Sequence, residues 1–304
     1  MNQNSMNESE QRSETYEHYY VPSQSRWPII GAIALFMIAV GAANYVTDLK
    51  HEQQGFGGYL LLAGVAVIIY MLVGWFSDVI SESQNGKYSN QMNHSFRQGM
   101  SWFIFSEVMF FAAFFGALLY LRVFSVPWLG GAGNNVETGA VLWPDFVAQW
   151  PLLKTPDGTE TTAMGWYGLP LVNTILLVTS SITAHIAHNA LIKNNRKSLK
   201  IWLGATVLLG IAFMFFQVLE YAHGYSEEMR LYLSSGVYGN TFYLLTGFHG
   251  MHVTLGCIML TVMWFRVLKG HFSPDNHFAF QAASWYWHFV DVVWLILFVF
   301  VYIL

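Results

Sequence analysis

The chain is built from long apolar segments separated by shorter polar stretches. Seven segments are almost continuously apolar over roughly 20 residues or more, the length that crosses the hydrocarbon core of a membrane. Continuous apolarity indicates helices, because the strands of a membrane barrel alternate apolar and polar positions. The pattern therefore predicts an all-α integral membrane bundle of seven transmembrane helices. The predicted spans are residues 27–46, 58–77, 99–121, 169–192, 199–221, 240–266 and 281–304.

The composition agrees with a membrane protein that lacks a large soluble domain. Hydrophobic residues make up 54% of the chain and charged residues 11%, whereas a soluble domain carries about 25% charged residues. These values exclude a disordered protein, a nucleic-acid-binding protein and a typical cytosolic enzyme. Cys257 is the single cysteine. An internal disulfide is therefore excluded, and we expect this residue to be a small buried hydrophobic side chain.

The polar stretches divide the chain into four parts. A tail, residues 1–26, contains no apolar signal-peptide core and is expected to be flexible over most of its length. Helices one and two occupy residues 27–77, a cytoplasmic loop follows at 78–98, and helices three to seven occupy 99–304. An outer loop at 122–168 is rich in Gly and Pro and should be irregular. It either caps the bundle or contacts a neighbour.

The positions of Lys and Arg predict the orientation. Ten of the fourteen basic residues fall in the tail and in the loops after spans two, four and six. Because basic residues concentrate on the cytoplasmic side, we expect a cytoplasmic N-terminus and a C-terminus outside. The ten are Arg12, Arg26, Lys87, Arg97, Lys193, Arg196, Lys197, Lys200, Arg266 and Lys269; the other four are Lys50, Arg122, Lys154 and Arg230.

Three acidic residues fall inside the predicted spans, where a charge is expensive. Glu107 lies about 12 Å into span three at 1.5 Å per residue. It is either a protonatable group on a proton or lipid-associated path, or a neutral acid hydrogen-bonded to a neighbouring helix. His288 and Asp291 share one face of span seven, which favours an interhelical clamp over a proton relay. Glu220 lies at the outer end of span five, where we expect water to be close.

Two HxxH pairs raise the question of a metal site. His185 and His188 lie toward the cytoplasmic end of span four, and His249 and His252 lie near the middle of span six. The predicted orientation displaces the pairs by about 10 Å along the membrane normal, and a metal site needs three or four converging ligands. We therefore expect ordinary hydrogen-bonding histidines and no metal.

Several blocks of sequence resemble subunit III of the haem–copper oxidases, that is, cytochrome c oxidase subunit III. They extend over spans three to seven in the order found in that family. The opening EHYYVPSQSRWPI also resembles bacterial members. The blocks are FRQGMSWFIFSEVMFF, LPLVNTILLVTSSITAHIAHNAL, FQVLEYAHGY, YGNTFYLLTGFHGMHVTLG and HFAFQAASWYWHFVDVVW.

This resemblance implies a cofactor-free subunit of an aa3-type oxidase in a bacterial plasma membrane. Subunits I and II of such a complex carry haem a, haem a3, CuB and CuA. The complex takes electrons from cytochrome c, reduces dioxygen to water and pumps protons, and a respiratory supercomplex is compatible with it. Subunit III supports proton uptake and the durability of the catalytic subunit. No nucleic acid partner is expected.

The resemblance also implies roles for particular residues. Glu107 matches the family's carbodiimide-reactive glutamate. Phospholipid is held in a cleft between spans one and two and the other five, and its cationic contacts match Arg97, Arg266 and His271. Physically, these basic groups at a cytoplasmic interface suit lipid phosphates, but they equally suit ordinary topology-setting charges. The chain departs from the family pattern at three positions, which are Gln281, Asn189 and Gly116.

Two other functions remain open from the sequence. A quinol oxidase subunit III is usually shorter, with five spans, so the first two spans argue for the cytochrome c branch. A stand-alone transporter or proton channel would use Glu107, His288 and Asp291.

Overall fold

The structure is a computed structural model, and it describes residues 20–21, 24–51 and 55–304. Most of the predicted polar tail lies outside these residues. Within them, seven helices are long and apolar enough to cross a membrane, which confirms the predicted architecture. We number them α1 to α7. Their bounds are Trp27–Lys50, Gly57–Gln84, Asn90–Tyr120, Leu169–Ile192, Arg196–Gly224, Gly236–Leu268 and Phe278–Leu297.

The helix bounds follow the predicted spans closely in some places and exceed them in others. The fourth span and α4 have the same bounds. By contrast, α2 extends to Gln84 and α3 begins at Asn90, so the predicted cytoplasmic loop is reduced to residues 85–89. The physical reason is that hydropathy marks where lipid ends, whereas a helix continues for as long as its backbone hydrogen bonds do. Two polar helical turns therefore extend beyond the apolar stretch on each side.

The long connection between α3 and α4 is largely irregular, as its glycines and prolines predict. Helical geometry continues through a wide turn at Leu121–Ser125 and a short helix at Val126–Leu129. Further along, the Thr162 N–H donates to the carbonyl of Met229 at 2.9 Å, and the Met164 N–H donates to the Tyr238 hydroxyl at 3.1 Å. The connection therefore caps the bundle at the end where α5 passes into α6.

The chain consists of two compact units, one up to Phe96 and the other from Arg97 to Leu304. In the first unit, α1 and α2 form a hairpin. The indole N–H of Trp27 donates to the carboxylate of Asp78 at 2.7 Å. A Cβ at Gly41 would lie 2.8 Å from the Cα of Leu61, so a glycine is needed at this close approach of the two backbones.

The core of the second unit is formed by α4 to α7 around two fully buried tryptophans of α7. The Trp287 indole donates to the Ser180 hydroxyl at 3.0 Å, and the Trp294 indole donates to the Thr174 hydroxyl at 3.0 Å. A Cβ at Gly210 would lie 2.7 Å from the Trp287 ring. The two hydrogen bonds hold α7 against α4, and the absence of a side chain at Gly210 allows the Trp287 ring to pack directly against α5. Cys257 is buried in this unit, as the sequence predicts.

Candidate functional site

The acid of α3 and a histidine of α6 form a direct pair inside the bundle. An oxygen of Glu107 lies 2.8 Å from Nε2 of His252. The two residues are 145 positions apart in the sequence, and the fold brings their helices together. The His252 side chain is 5% exposed and that of Glu107 is 22% exposed. The rings of Phe110 and Phe111 lie within 6 Å of the imidazole, so the pair has apolar surroundings.

A second hydrogen bond fixes how this pair holds protons. Nδ1 of His252 lies 2.6 Å from the backbone carbonyl of Phe248. A carbonyl can only accept, so Nδ1 carries a proton. An uncharged pair then has one proton between Nε2 and the Glu107 oxygen, as either a neutral acid beside a neutral imidazole or a carboxylate beside an imidazolium. The bond to a neighbouring helix is therefore observed, whereas a proton or lipid-associated path through Glu107 stays a prediction.

The other histidines of the HxxH pairs lie in different surroundings. Nε2 of His249 lies 3.1 Å from the Val290 carbonyl, and its ring packs 5.1 Å from that of Trp294. The ring of His188 lies 5.6 Å from that of His277, and His185 is exposed. Across the described residues, no three His, Cys, Asp or Glu side chains come close enough to hold a metal ion.

The histidine and acid of α7 lie against α4. Nδ1 of His288 is 2.5 Å from the Ser181 hydroxyl, which is the kind of contact that an interhelical clamp requires. Asp291 is buried, and its Oδ1 has no hydrogen-bond partner among the residues that the structure describes. The clamp itself remains a prediction.

The predicted position of Glu220 near water is wrong. Its side chain is 0% exposed, and the Tyr302 hydroxyl donates to its Oε1 at 2.6 Å. The reason is that α5 continues to Gly224 and that the capping connection covers this end of the bundle. A hydropathy profile gives the position of a residue along its own helix. It does not show whether another segment of the chain covers that residue.

Two of the three predicted lipid-contacting residues lie together, and the third lies elsewhere. The Arg97 guanidinium donates to the side-chain oxygen of Gln281, so it joins α3 to α7. Arg266 is 8% exposed, and its guanidinium lies 4.4 Å from the centre of the Phe272 ring. The His271 N–H donates to the Arg266 carbonyl at 3.1 Å. Burial, together with the charges of Arg266 and a neighbouring lysine, lowers the pKa of His271.

The structure places one further basic residue beside Arg266 and His271. Arg196 begins α5, and its guanidinium donates to the Phe272 carbonyl at 2.5 Å. Phe272 therefore lies between two guanidinium groups. Nε of Arg266 and Nη1 of Arg196 are buried without a described hydrogen-bond partner. The arrangement depends on how the connection between α6 and α7 folds against the start of α5. The sequence indicated only that the loop before α5 is rich in basic residues.

Together these features define a multi-pass helical membrane protein whose internal polar groups pair between helices. The family model described as Cytochrome c oxidase subunit III matches residues 17–304. The chain is 39% identical over 285 residues to “Cytochrome c oxidase subunit 3” of Prototheca wickerhamii, which covers 93% of this chain and 96% of that relative. It therefore belongs to the cytochrome c oxidase subunit III family.

Relatives from distant organisms give the same result. “Probable cytochrome c oxidase subunit 3” of Rickettsia prowazekii (strain Madrid E) is 37% identical, over 94% of this chain and 95% of the relative. “Cytochrome c oxidase subunit 3” of Danio rerio is 35% identical, over 93% and 96% respectively. The family indicates that this chain works within a respiratory oxidase complex.

Proposed function

We propose that the chain is the cofactor-free subunit III of an aa3-type cytochrome c oxidase. In this proposal it lies beside subunits I and II, which carry haem a, haem a3, CuB and CuA. The complex transfers electrons from cytochrome c to oxygen and pumps protons. The chain itself supports proton uptake, binds phospholipid and stabilises the catalytic subunit. The observation that carries its own contribution is the Glu107–His252 pair, a protonatable site in apolar surroundings.

The proton role follows from how the pair is held. The Phe248 carbonyl keeps the proton on Nδ1 of His252, so Nε2 is the nitrogen that exchanges a proton with Glu107. The Glu107 side chain is 22% exposed, so the pair lies at the surface of this helical unit and within reach of a neighbouring subunit or lipid. Such a site can accept a proton and release it without a metal or a redox centre.

The lipid role is supported by the basic groups around Phe272. Arg266 and Arg196 flank this residue, and His271 bonds to the Arg266 backbone. Among the described residues, neither arginine forms an ion pair with a carboxylate. A buried guanidinium is stabilised by an anion that fits its donors, and a lipid phosphate supplies such acceptors. Arg97 would contribute separately, because its side chain is already bonded to Gln281.

We further propose that the complex lies in a bacterial plasma membrane, with the N-terminus of this chain in the cytoplasm. The excess of basic residues in the tail and in alternate loops supports this orientation. In that orientation Arg196, Arg266 and His271 lie at the cytoplasmic surface, where anionic lipids concentrate.

Purification in a mild detergent tests the function directly. The tagged chain should co-purify with haem-bearing subunits that show an a-type absorption spectrum, and with phospholipid. Quinol as the sole effective electron donor would indicate the quinol oxidase branch instead. Proton conduction by the isolated chain in liposomes, without haem-bearing partners, would contradict the proposal and support a stand-alone channel.

Substitutions at the basic cluster test the lipid role within the same preparation. Arg266→Gln and Arg196→Gln should each lower the amount of co-purified phospholipid. Lys197→Gln is the control, because Lys197 is an exposed basic residue next to Arg196 in the same helix. Equal lipid content in all the variants would overturn the lipid assignment without affecting the oxidase assignment.

A further inference from the structure

A group of buried amide and carboxyl side chains lies between α4 and α5, apart from the Glu107–His252 pair. Asn173 of α4 is 0% exposed, and Gln217 and Glu220 of α5 are 3% and 0% exposed. Among described residues, five of their polar atoms have no hydrogen-bond partner, although all are buried. These atoms are both side-chain polar atoms of Asn173, both of Gln217, and Oε2 of Glu220.

The register of the two helices brings these residues to one level. Thr183 of α4 and Thr206 of α5 bond directly through their hydroxyls at 2.8 Å. The two helices are antiparallel, so moving backward along α4 and forward along α5 leads toward the same end of the bundle. Asn173 lies ten residues before Thr183, and Gln217 lies eleven residues after Thr206. Each residue belongs to the buried face of its helix. Glu220 follows Gln217 by three positions and therefore lies on the same face.

The surrounding side chains border this region without pairing the five atoms. The Trp294 indole of α7 donates to the hydroxyl of Thr174, the residue next to Asn173. The Tyr302 hydroxyl, in the wider helical segment Phe298–Ile303 that continues α7, donates to Oε1 of Glu220 and leaves Oε2 available. α7 and this segment therefore form a third wall.

The chemistry of the five atoms selects the ligand. A buried polar atom without a partner is unfavourable, and this is most severe in a membrane protein, where lipid cannot supply one. A metal cation would take the oxygens but would leave both amide NH2 groups unsatisfied. Water both donates and accepts, so it can satisfy all of them. At about three hydrogen bonds for each buried water, five atoms call for about two water molecules.

We propose that Asn173, Gln217 and Glu220 form a binding site for internal water within the α4–α5–α7 bundle. The water bridges the amides of Asn173 and Gln217 to Oε2 of Glu220. The site links α4 to α5 through polar contacts at a level where no direct bond joins these three side chains in the described structure. It is independent of the proposed oxidase function, because it depends on this chain's own helices.

High-resolution electron microscopy of the purified assembly that contains this chain tests the site. We expect density for ordered water within about 3.2 Å of Glu220 Oε2 and of at least one of the two amides. Three observations would overturn the proposal. They are direct pairing of the five atoms with protein groups, a metal ion with an oxygen-only coordination shell, and unpaired atoms with no density between them.

Thermal unfolding of the same assembly supplies a second measurement. If the amide is hydrated, Gln217→Leu removes its bonds to water, and the unfolding midpoint should fall. If the amide is dry, the same change removes an unfavourable buried group, and the midpoint should rise, which would overturn the proposal. Thr183→Val is the control: it removes a direct bond to Thr206 and should lower the midpoint while leaving the water density unchanged.

Discussion

At the scale of single residues, the main feature is a partner that lies far away in the sequence. Glu107 is visible in the sequence as an acid inside an apolar span. Its partner, His252, lies 145 positions later and belongs to an HxxH pair for which only ordinary hydrogen bonding was expected, with no partner named. No periodicity within either helix could identify the contact, because it depends on how α3 and α6 pack. The nature of the site was therefore predictable, and its geometry was not.

The first prediction concerns the removal of the protonatable group. Glu107→Gln should abolish carbodiimide labelling of the chain and leave oxygen reduction largely unchanged. The glutamine amide can still donate to Nε2 of His252, so the free energy of unfolding should change by less than about 1 kcal/mol. Labelling with a fluorescent carbodiimide and oxygen uptake by the complex measure the two effects. Loss of haem from the assembled complex in this variant would contradict the expectation.

The second prediction concerns the coupling between the paired residues. His252→Leu leaves Glu107 unpaired in apolar surroundings and should destabilise the complex more than it does when Glu107→Leu, which cannot bond to the imidazole, is already present. A double-mutant cycle on the unfolding free energy should give a coupling of about 1–3 kcal/mol. Additive effects of the two changes would show that the 2.8 Å contact contributes nothing to stability.

The third prediction concerns His271 and pH. Burial, with positive charge nearby, lowers the pKa of His271 in the folded chain, so folding favours its neutral form. The resulting stability is fully present above the unfolded pKa of about 6.5 and is lost as the pH falls through the lower folded pKa. His271→Gln should therefore reduce the loss of thermal stability between neutral and acidic pH. The effect should be small, because the side chain is only partly buried.

At the scale of helices, the hydropathy pattern predicted every membrane-spanning helix, but it located the helix ends accurately in some places and not in others. The bounds of α4 coincide with the predicted span because Gly168 precedes it, Pro170 lies in its first turn and a polar turn follows it. The bounds of α2 and α3 exceed the spans because their polar turns remain helical outside the apolar region. The departures from the family pattern also become interpretable at this scale. Gln281 pairs with Arg97 without a carboxylate, and a Cβ at Gly116 would meet open space.

The fourth prediction uses two glycines in contrasting surroundings. Gly41→Ala places a Cβ 2.8 Å from the Cα of Leu61 and should destabilise the α1–α2 hairpin by about 1–3 kcal/mol, the usual cost of overpacking. Gly116→Ala is the matched control. No atom among the described residues lies within 4 Å of its new Cβ, so it should be neutral or slightly stabilising. Thermal unfolding of the complex distinguishes the two.

At the scale of the whole molecule, the number of spans was predictable, and the covering of the bundle was one of two alternatives that the sequence left open. Seven apolar segments became seven helices, because each segment must satisfy its own backbone within lipid. The long connection was expected to be irregular and outside, and either to cap the bundle or to contact a neighbour. Its bonds to Met229 and Tyr238 show that it also closes one end of the bundle, which explains why Glu220 is buried.

The fifth prediction tests the proposed orientation. Asn85→Cys places a thiol in the connection between α2 and α3, and Asn134→Cys places one in the long connection; both positions are exposed. In intact cells a membrane-impermeant maleimide should label the second variant and should label the first only after permeabilisation. Cys257 is buried and gives little background. The reverse labelling pattern would invert the assignment of the N-terminus to the cytoplasm.

When the Glu107–His252 pair shares one proton its net charge is zero, and this has a consequence in a membrane that is electrically energised. At a membrane potential of 100 mV, moving one elementary charge across the whole membrane changes its free energy by about 2.3 kcal/mol. A proton that moves about 1 Å between the two partners crosses only a small part of a core of about 30 Å. The field then changes the balance between the two protonation arrangements by roughly 0.1 kcal/mol. The pair should therefore hold its proton in the same way whether the respiratory membrane is charged or discharged.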